Sequence, residues 1–334
     1  MLVDKYNRPI RDLRISLTDR CNFRCFYCRN VVVPTSPCRS TILTLEEIAY
    51  ICDIFVSLGI EKIRLTGGEP LLRKGIEDLI AEIASLKLPV AGQGLRDLAI
   101  TTNGTSFADR ASSLRNAGLD RVTFSLDSLK HESFAAITGV NRLDEVLDAI
   151  DTALAVGFVD PKVNVVVIRG CNDHEIVDFA RYARQKGLSI RFIEFMPLDS
   201  GRKWKRSDLV SGREIFDRIN EVFPIYLAES SRGRETAWKY RFADGCNGEI
   251  GIISAVTDAF CGACSRIRVT ADGQIRTCLF STAEYDLRGL LRNGGTRNEI
   301  IGLIRSAVAN KELGHTINTN HFEHASRSMS AIGG

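Results

Sequence analysis

Residues 11–28 read RDLRISLTDRCNFRCFYC. Arg11–Leu17 reads as a β-strand. Directly after it, Cys21, Cys25 and Cys28 form C-x3-C-x2-C, with Tyr27 beside the last cysteine. The bare spacing gives a three-thiolate metal site. Three thiolates from one short loop suit a cubane of four irons that keeps one iron without a protein ligand. The alternative is a structural zinc knuckle. Zinc normally takes four ligands, usually from C-x2-C pairs, so an x3 gap with no nearby fourth ligand counts against it.

Outward from this stretch the sequence alternates strand and helix. Strands are expected at Lys62–Thr66, Asp97–Thr101, Asp120–Leu126, Lys162–Ile168 and Ser189–Phe195. Helices are expected at Leu45–Leu58, Gly75–Leu86, Phe107–Ala117, Leu143–Val156 and His174–Lys186. Six such units predict a parallel sheet with right-handed crossovers. They fall short of the eight of a closed barrel, so the expected fold is α/β, a partial (βα)6 TIM-type barrel. The rhythm breaks after Met196-Pro197. Residues 1–197 are therefore expected to form the barrel and 198–334 a C-terminal α+β extension, with a loop at Asp199–Ser207 and helices at Ser211–Val222 and Arg297–Ala309.

Polar clusters fall at the carboxyl ends of the strands: Thr66-Gly67-Gly68-Glu69-Pro70, Thr101-Thr102-Asn103-Gly104, Ser125-Leu126-Asp127 and Glu194-Phe195-Met196. Barrel active sites are built there. Each cluster alone reads equally as a turn or helix cap. In Gly67-Gly68-Glu69 the glycines are expected to let the backbone approach a ligand, and an exposed carboxylate could accept from an ammonium group. A second group, Cys261, Cys264 and Cys278, forms C-x2-C-x13-C. Asp272-Gly273 is a turn signal between them, so a hairpin could return Cys278 to the pair. Cys246 could complete a zinc site of four cysteines, and spacing leaves zinc and iron–sulfur open. Arg266 and Arg268 alternate along the strand and share a face. With Arg14, Arg64 and Lys162 they could gather cations for phosphate oxygens, or equally be surface residues in salt bridges.

Composition bounds the rest. The 334 residues are 44% hydrophobic and 25% charged, ordinary for a globular protein. A net charge of +3 makes no case for nucleic-acid binding. No apolar run reaches the roughly 18 residues of a membrane span, and the polar Met1–Asp12 lacks a signal-peptide stretch. The expected location is the cytoplasm, where ten cysteines are more often ligands than disulfides.

C-x3-C-x2-C in this place resembles the radical S-adenosylmethionine superfamily. The order of pieces further resembles the molybdenum cofactor biosynthesis protein A family, the GTP 3′,8-cyclases. It runs from residues 11–21 through T-G-G-E-P, T-T-N-G, S-L-D, Lys162-Val163-Asn164-Val165, Arg191–Met196, Phe260-Cys261 to Arg268, Cys278-Leu279-Phe280 and a terminal Gly-Gly. The resemblance covers essentially the whole chain. It implies a lyase of the carbon–oxygen class with S-adenosylmethionine and two [4Fe-4S] clusters, the first on Cys21, Cys25 and Cys28 and the second on Cys261, Cys264 and Cys278. Tyr27, Gly68, Ser125 and Met196 would contact S-adenosylmethionine. Arg14, Arg64, Thr101, Lys162, Arg266 and Arg268 would contact GTP, whose guanine the second cluster would bind. A 5′-deoxyadenosyl radical would take hydrogen from ribose C3′, and C3′ would join guanine C8, giving 3′,8-cyclo-7,8-dihydro-GTP for a pyranopterin monophosphate synthase. A reductant protein would supply electrons, a homodimer is compatible with the resemblance, and the Gly333-Gly334 tail would reach the active site.

The chain departs from the family pattern at Arg29-Asn30, where Met-Pro is usual, at the extra Cys38, and at a small insertion over Leu88–Gly94. Cys38, Cys52, Cys171 and Cys246 match no motif, and the five histidines show no metal pattern. The competing readings are a radical S-adenosylmethionine peptide-modifying enzyme with an auxiliary cluster, and a non-enzymatic structural metal protein or cluster carrier.

Overall fold

A two-stranded antiparallel hairpin, β1 (Leu2–Val3) with β2 (Pro9–Ile10), precedes the first expected strand. The structure, a computed structural model, describes residues 1–28, 41–87, 94–198, 204–324 and 327–333. Arg29-Asn30, Cys38, residues 88–93, most of the expected 199–207 loop, and Gly334 lie outside the described residues.

All six expected strands form: β3 (Asp12–Ser16), β4 (Lys62–Thr66), β5 (Asp97–Thr102), β6 (Arg121–Ser125), β7 (Lys162–Val167) and β8 (Ser189–Glu194). They pair in chain order and in parallel. Ile15, Leu65, Ile100, Phe124, Val163 and Ile190 are fully buried, as expected of strands covered by crossover helices. The helix Leu45–Ser57 buries Ile48, Ile51 and Phe55, and the helix Ile76–Ser85 buries Leu79, Ile80 and Ile83. Thr44 and Glu47 form a capping box that starts the first of these helices.

The extension adds β9 (Ile225–Leu227), β10 (Trp238–Phe242), β11 (Glu249–Ile253), β12 (Arg266–Val269), β13 (Gln274–Arg276) and β14 (Tyr285–Asp286). These strands do not build a sheet of their own. β12 pairs in parallel with β3 and β11 with β8, so the extension lengthens the barrel wall at both edges. The result is one sheet of 12 strands, ordered β14-β13-β12-β3-β4-β5-β6-β7-β8-β11-β10-β9. Among the described residues the sheet does not close, with β14 and β9 at its edges, so it is a partial barrel.

Three helices beyond the expected set appear, at His131–Thr138, Leu287–Arg292 and Met329–Ile332. Among the described residues, no helix is long and apolar enough to cross a membrane.

Candidate functional site

Register places the cations. Arg268 on β12, Arg14 on β3 and Arg64 on β4 are level on three adjacent parallel strands. Thr101 on β5 is level with Thr123 on β6, and Asn164 on β7 with Arg191 on β8. Side chains alternate across a sheet, so these positions face inward together. All of them line one cavity of about 280 Å³, as does Arg266.

The electrostatics of this wall are unbalanced. Among the described residues, Arg14, Arg64, Arg191, Arg266 and Arg268 form no ion pair. Arg64 Nη1 donates to the hydroxyls of Thr101 at 3.1 Å and Thr123 at 2.9 Å, and Arg191 Nε is buried without a partner. Burial, with Arg266 nearby, pulls the Arg14 guanidinium down to about 10. Burial, with Arg14 and Arg191, pulls Arg64 down to about 9. Burial and the same kind of mutual repulsion lower Arg268. Buried charges need a partner, so this wall calls for an anion with several oxygens.

Lys162, expected beside these arginines, is not among the residues that line the cavity. It is the first residue of β7, and its ammonium pairs with Asp160. Burial, with Arg191 and Arg121, lowers its pKa to about 7. Arg191 adds a further cation on that side. The signal for it was a lone charge between Ile190 and Phe192, both fully buried.

All six cysteines of the two triplets line the same cavity. At the first triplet, the Phe23 N–H donates to Cys21 Sγ at 3.4 Å and Asn103 Nδ2 lies 3.9 Å from it. Burial, reinforced by Asp127, raises the Cys25 thiol well above its ordinary value. Such a group stays protonated until a metal takes it as thiolate. The donor set, three sulfurs in a cavity with N–H groups aimed at one of them, therefore fits a cluster with an open iron. At the second triplet, β12 and β13 pair antiparallel across Gly273 at φ 75°, and this hairpin returns Cys278 to the pair. Burial would raise Cys264, but Arg266 and Lys311 outweigh it and bring the thiol down to about 7. Arg266 Nη2 lies 3.6 Å from Cys264 Sγ. Cys246 is elsewhere: its Sγ contacts the carbonyls of Arg184 and Asn247, each at 3.6 Å, and it does not line the cavity. The four-cysteine zinc alternative loses its fourth ligand. Cys52 is buried in the helix Leu45–Ser57 and Cys171 follows β7.

Tyr27, Gly68, Ser125 and Met196 also line the cavity. The Tyr27 hydroxyl donates to Asp127 Oδ2 at 2.5 Å, while Asp127 Oδ1 accepts from the Val166 N–H at 2.9 Å. The expected exposed carboxylate of Glu69 is instead 1% exposed. It accepts from the Leu71 N–H at 3.0 Å, the Asn103 N–H at 2.7 Å and the Thr102 hydroxyl at 2.7 Å. The glycines before it serve a chain-to-chain approach. A Cβ on Gly67 would lie 2.7 Å from the Thr18 carbonyl oxygen and one on Gly68 2.2 Å from that of Arg20. The Gly68 and Glu69 N–H groups donate to the Thr18 and Arg20 carbonyls at 2.6 and 2.7 Å, which fixes the approach to Cys21.

Arg268 Nη1 donates to the carbonyl of Gly333, and a Cβ on Gly333 would lie 2.8 Å from Thr66 Oγ1. Gly333 thus lies against β4 and β12. His315 was assigned no role in the sequence; it lines the cavity and its Nε2 lies 2.8 Å from the Ala255 carbonyl oxygen. Phe260 lines it too, with the Arg266 guanidinium 4.7 Å above its ring centre. No sequence spacing pointed to His315, while Phe260 entered only as part of the Phe260-Cys261 piece of the resemblance.

Residues 15–183 match the family described as Radical SAM superfamily, and residues 188–317 match Molybdenum Cofactor Synthesis C. A GTP 3′,8-cyclase of Corynebacterium glutamicum is 44% identical over all of this chain and 89% of its own. One of Desulforamulus reducens is 39% identical over the whole of both chains. A mitochondrial GTP 3′,8-cyclase of Arabidopsis thaliana is 41% identical over all of this chain and 84% of its own. Among solved structures, Streptococcus suis SuiB bound to precursor peptide SuiA matches with a TM-score of 0.63 at 15% identity, over 98% of this chain and 78% of that one, a likeness of fold. With the cysteine triplets, the arginine wall and full-length relatives all in agreement, the chain belongs to the GTP 3′,8-cyclase family of radical S-adenosylmethionine enzymes.

Proposed function

We propose that this chain converts GTP into 3′,8-cyclo-7,8-dihydro-GTP, the first step of molybdenum cofactor biosynthesis, by removing the C3′ hydrogen of the ribose and joining C3′ to guanine C8. One observation carries the reading: two cysteine triplets line a single cavity with five arginines that have no ion pair among the described residues. Cys21, Cys25 and Cys28 would hold the first [4Fe-4S] cluster, and Cys261, Cys264 and Cys278 the second. When bound, the first cluster and S-adenosylmethionine supply reductive cleavage of the sulfonium C–S bond and a 5′-deoxyadenosyl radical.

The chain's own residues do the placing. Tyr27, Gly68, Ser125 and Met196 form the S-adenosylmethionine side of the cavity. Arg14, Arg64, Thr101, Arg191, Arg266 and Arg268 take the triphosphate and ribose, arginine forks matching phosphate oxygens. Lys162, level with Thr123 and two residues before Asn164 on the same inward-facing series, would join them in contacting GTP. The enclosing walls exclude water from a reactive intermediate. Residues 1–197 would carry the first cluster and the S-adenosylmethionine contacts together with Arg14, Arg64, Thr101 and Arg191, and 198–334 the second cluster with Arg266 and Arg268. A cytoplasmic setting, a reductant protein, a downstream pyranopterin monophosphate synthase and a homodimer complete the proposal.

The test is anaerobic turnover of the reconstituted chain with dithionite and S-adenosylmethionine. 5′-Deoxyadenosine should form when GTP is added and not without it. Equal formation with a peptide, or with no substrate, would exclude the cyclase.

A further inference from the structure

The N-terminal hairpin carries a buried ion pair that the cavity does not use. Asp4 and Arg8 are 4% and 5% exposed. Asp4 Oδ2 accepts from Arg8 Nε at 2.6 Å, and Asp4 Oδ1 accepts from the backbone N–H groups of Tyr6 at 2.9 Å and Arg8 at 3.0 Å. Asn7, at φ 60°, makes the turn between them. Asp4 thus aims the remaining guanidinium nitrogens at one place. Nη1 donates to the carbonyls of Cys261 at 2.7 Å and Leu313 at 2.6 Å, and Nη2 to that of Glu312 at 2.5 Å. A second buried cation meets the same region. Lys311, 3% exposed, donates from Nζ to the Arg266 carbonyl at 3.1 Å and to the Thr277 carbonyl.

Each cysteine of the second triplet is therefore tied at its own carbonyl or within two residues of it: Cys261 itself, Arg266 after Cys264, Thr277 before Cys278. The clamp also presses the 312–314 segment onto the triplet. A Cβ on Gly314 would lie 2.9 Å from Cys261 Cβ and 3.2 Å from its Sγ. Neither Arg8 nor Lys311 lines the cavity, so neither reaches a substrate there. Their effect runs through the backbone of the ligand loops.

We propose that Arg8, oriented by Asp4, and Lys311 form a two-cation clamp that positions Cys261, Cys264 and Cys278 for the second metal group. This rests on the reading of that triplet as a cluster site. Arg8 and Lys311 are positioning residues: they fix the sulfur spacing from outside and add positive charge beside thiolates.

The experiment reconstitutes full-length wild type, Arg8→Lys, Arg8→Ala and Cys261→Ala with iron and sulfide under anaerobic conditions. Three readouts are taken: iron per chain, the rate of iron release to a chelator, and the electron paramagnetic resonance spectrum of the reduced protein with and without S-adenosylmethionine. Wild type should hold about eight irons and Cys261→Ala about four. Arg8→Lys keeps a charge but loses the fork that spans three carbonyls. It should release the second group's iron roughly 10- to 100-fold faster, with the first cluster's spectral response to S-adenosylmethionine unchanged. Arg8→Ala should approach the iron content of Cys261→Ala. Wild-type release from Arg8→Lys would overturn the clamp. So would equal loss from both clusters with a lowered melting temperature of the metal-free chain, which would make Arg8 a scaffold residue only. A wild type holding about four irons would first overturn the second-cluster reading, and the clamp with it.

Discussion

Arg191 sits at a strand position where its neighbours in sequence are fully buried and its Nε has no partner. A side chain in that state is stabilised by what it binds. Charged hydrogen bonds contribute about 1.5–3 kcal/mol each. Arg191→Ala and Arg64→Ala should each weaken GTP binding by roughly 10- to 100-fold, measured by calorimetry on the reconstituted protein, with iron content unchanged. Glu69 offers a different residue-scale test. Burial raises its carboxyl to about 7, against three hydrogen-bond donors that pull it down. The folded state keeps this proton up to about pH 7, while the unfolded chain releases it near 4.5. Stability from this carboxyl is therefore complete below about 4.5 and falls as pH rises through about 7. Denaturant unfolding of the metal-free chain should show wild type losing stability relative to Glu69→Gln between pH 5 and pH 8. A difference that stays flat would refute the buried-proton account. Residue chemistry was partly legible: the cysteines and Arg14, Arg64, Arg266 and Arg268 stood out by spacing and strand position. Lys162 stood out in the same way: it is level with Thr123 on the inward-facing series, and its ammonium pairs with Asp160.

At the scale of elements, the Gly67-Gly68 turn joins β4 to the loop that carries Cys21. Gly68→Ala would place a methyl 2.2 Å from a backbone oxygen, where no side chain can yield. The expected cost is about 1–3 kcal/mol, read by urea unfolding, together with loss of iron from the first triplet. Most elements were readable because apolar periodicity ran over several turns, as with Leu143–Val156 and Arg297–Ala309, which match their expected bounds. The helix His131–Thr138 escaped notice for a physical reason. It spans only His131–Thr138, about two turns, too short for apolar periodicity to stand out, and Lys130 before it provides no side-chain cap. Met329–Ile332 is a single turn in a polar stretch, held from outside by packing.

At the scale of the molecule, the six-strand core was legible from rhythm, while the placement of the extension was not. Nothing in the local pattern of β11 and β12 says that they will pair with β8 and β3, since those partners are chosen by long-range packing. The same long-range closure brings Gly333 to Arg268 and Thr66. Removing residues 333–334 should leave iron content and S-adenosylmethionine binding intact and slow GTP conversion by on the order of 100-fold, because Arg268 loses its Gly333 carbonyl and its aim. Unchanged turnover would remove the tail from the mechanism. The two-edged sheet also has a consequence in time. β3 and its cysteine loop leave the ribosome early, yet β12, the strand on their other side, follows only after Ser16 and Arg266 have both been made. At about 5–20 residues per second, that gap lasts roughly 12–50 s. Throughout it the nascent chain carries an open strand edge beside the three cysteines of the first triplet, a state prone to aggregation and one that escorts of unfolded chains would be expected to shield.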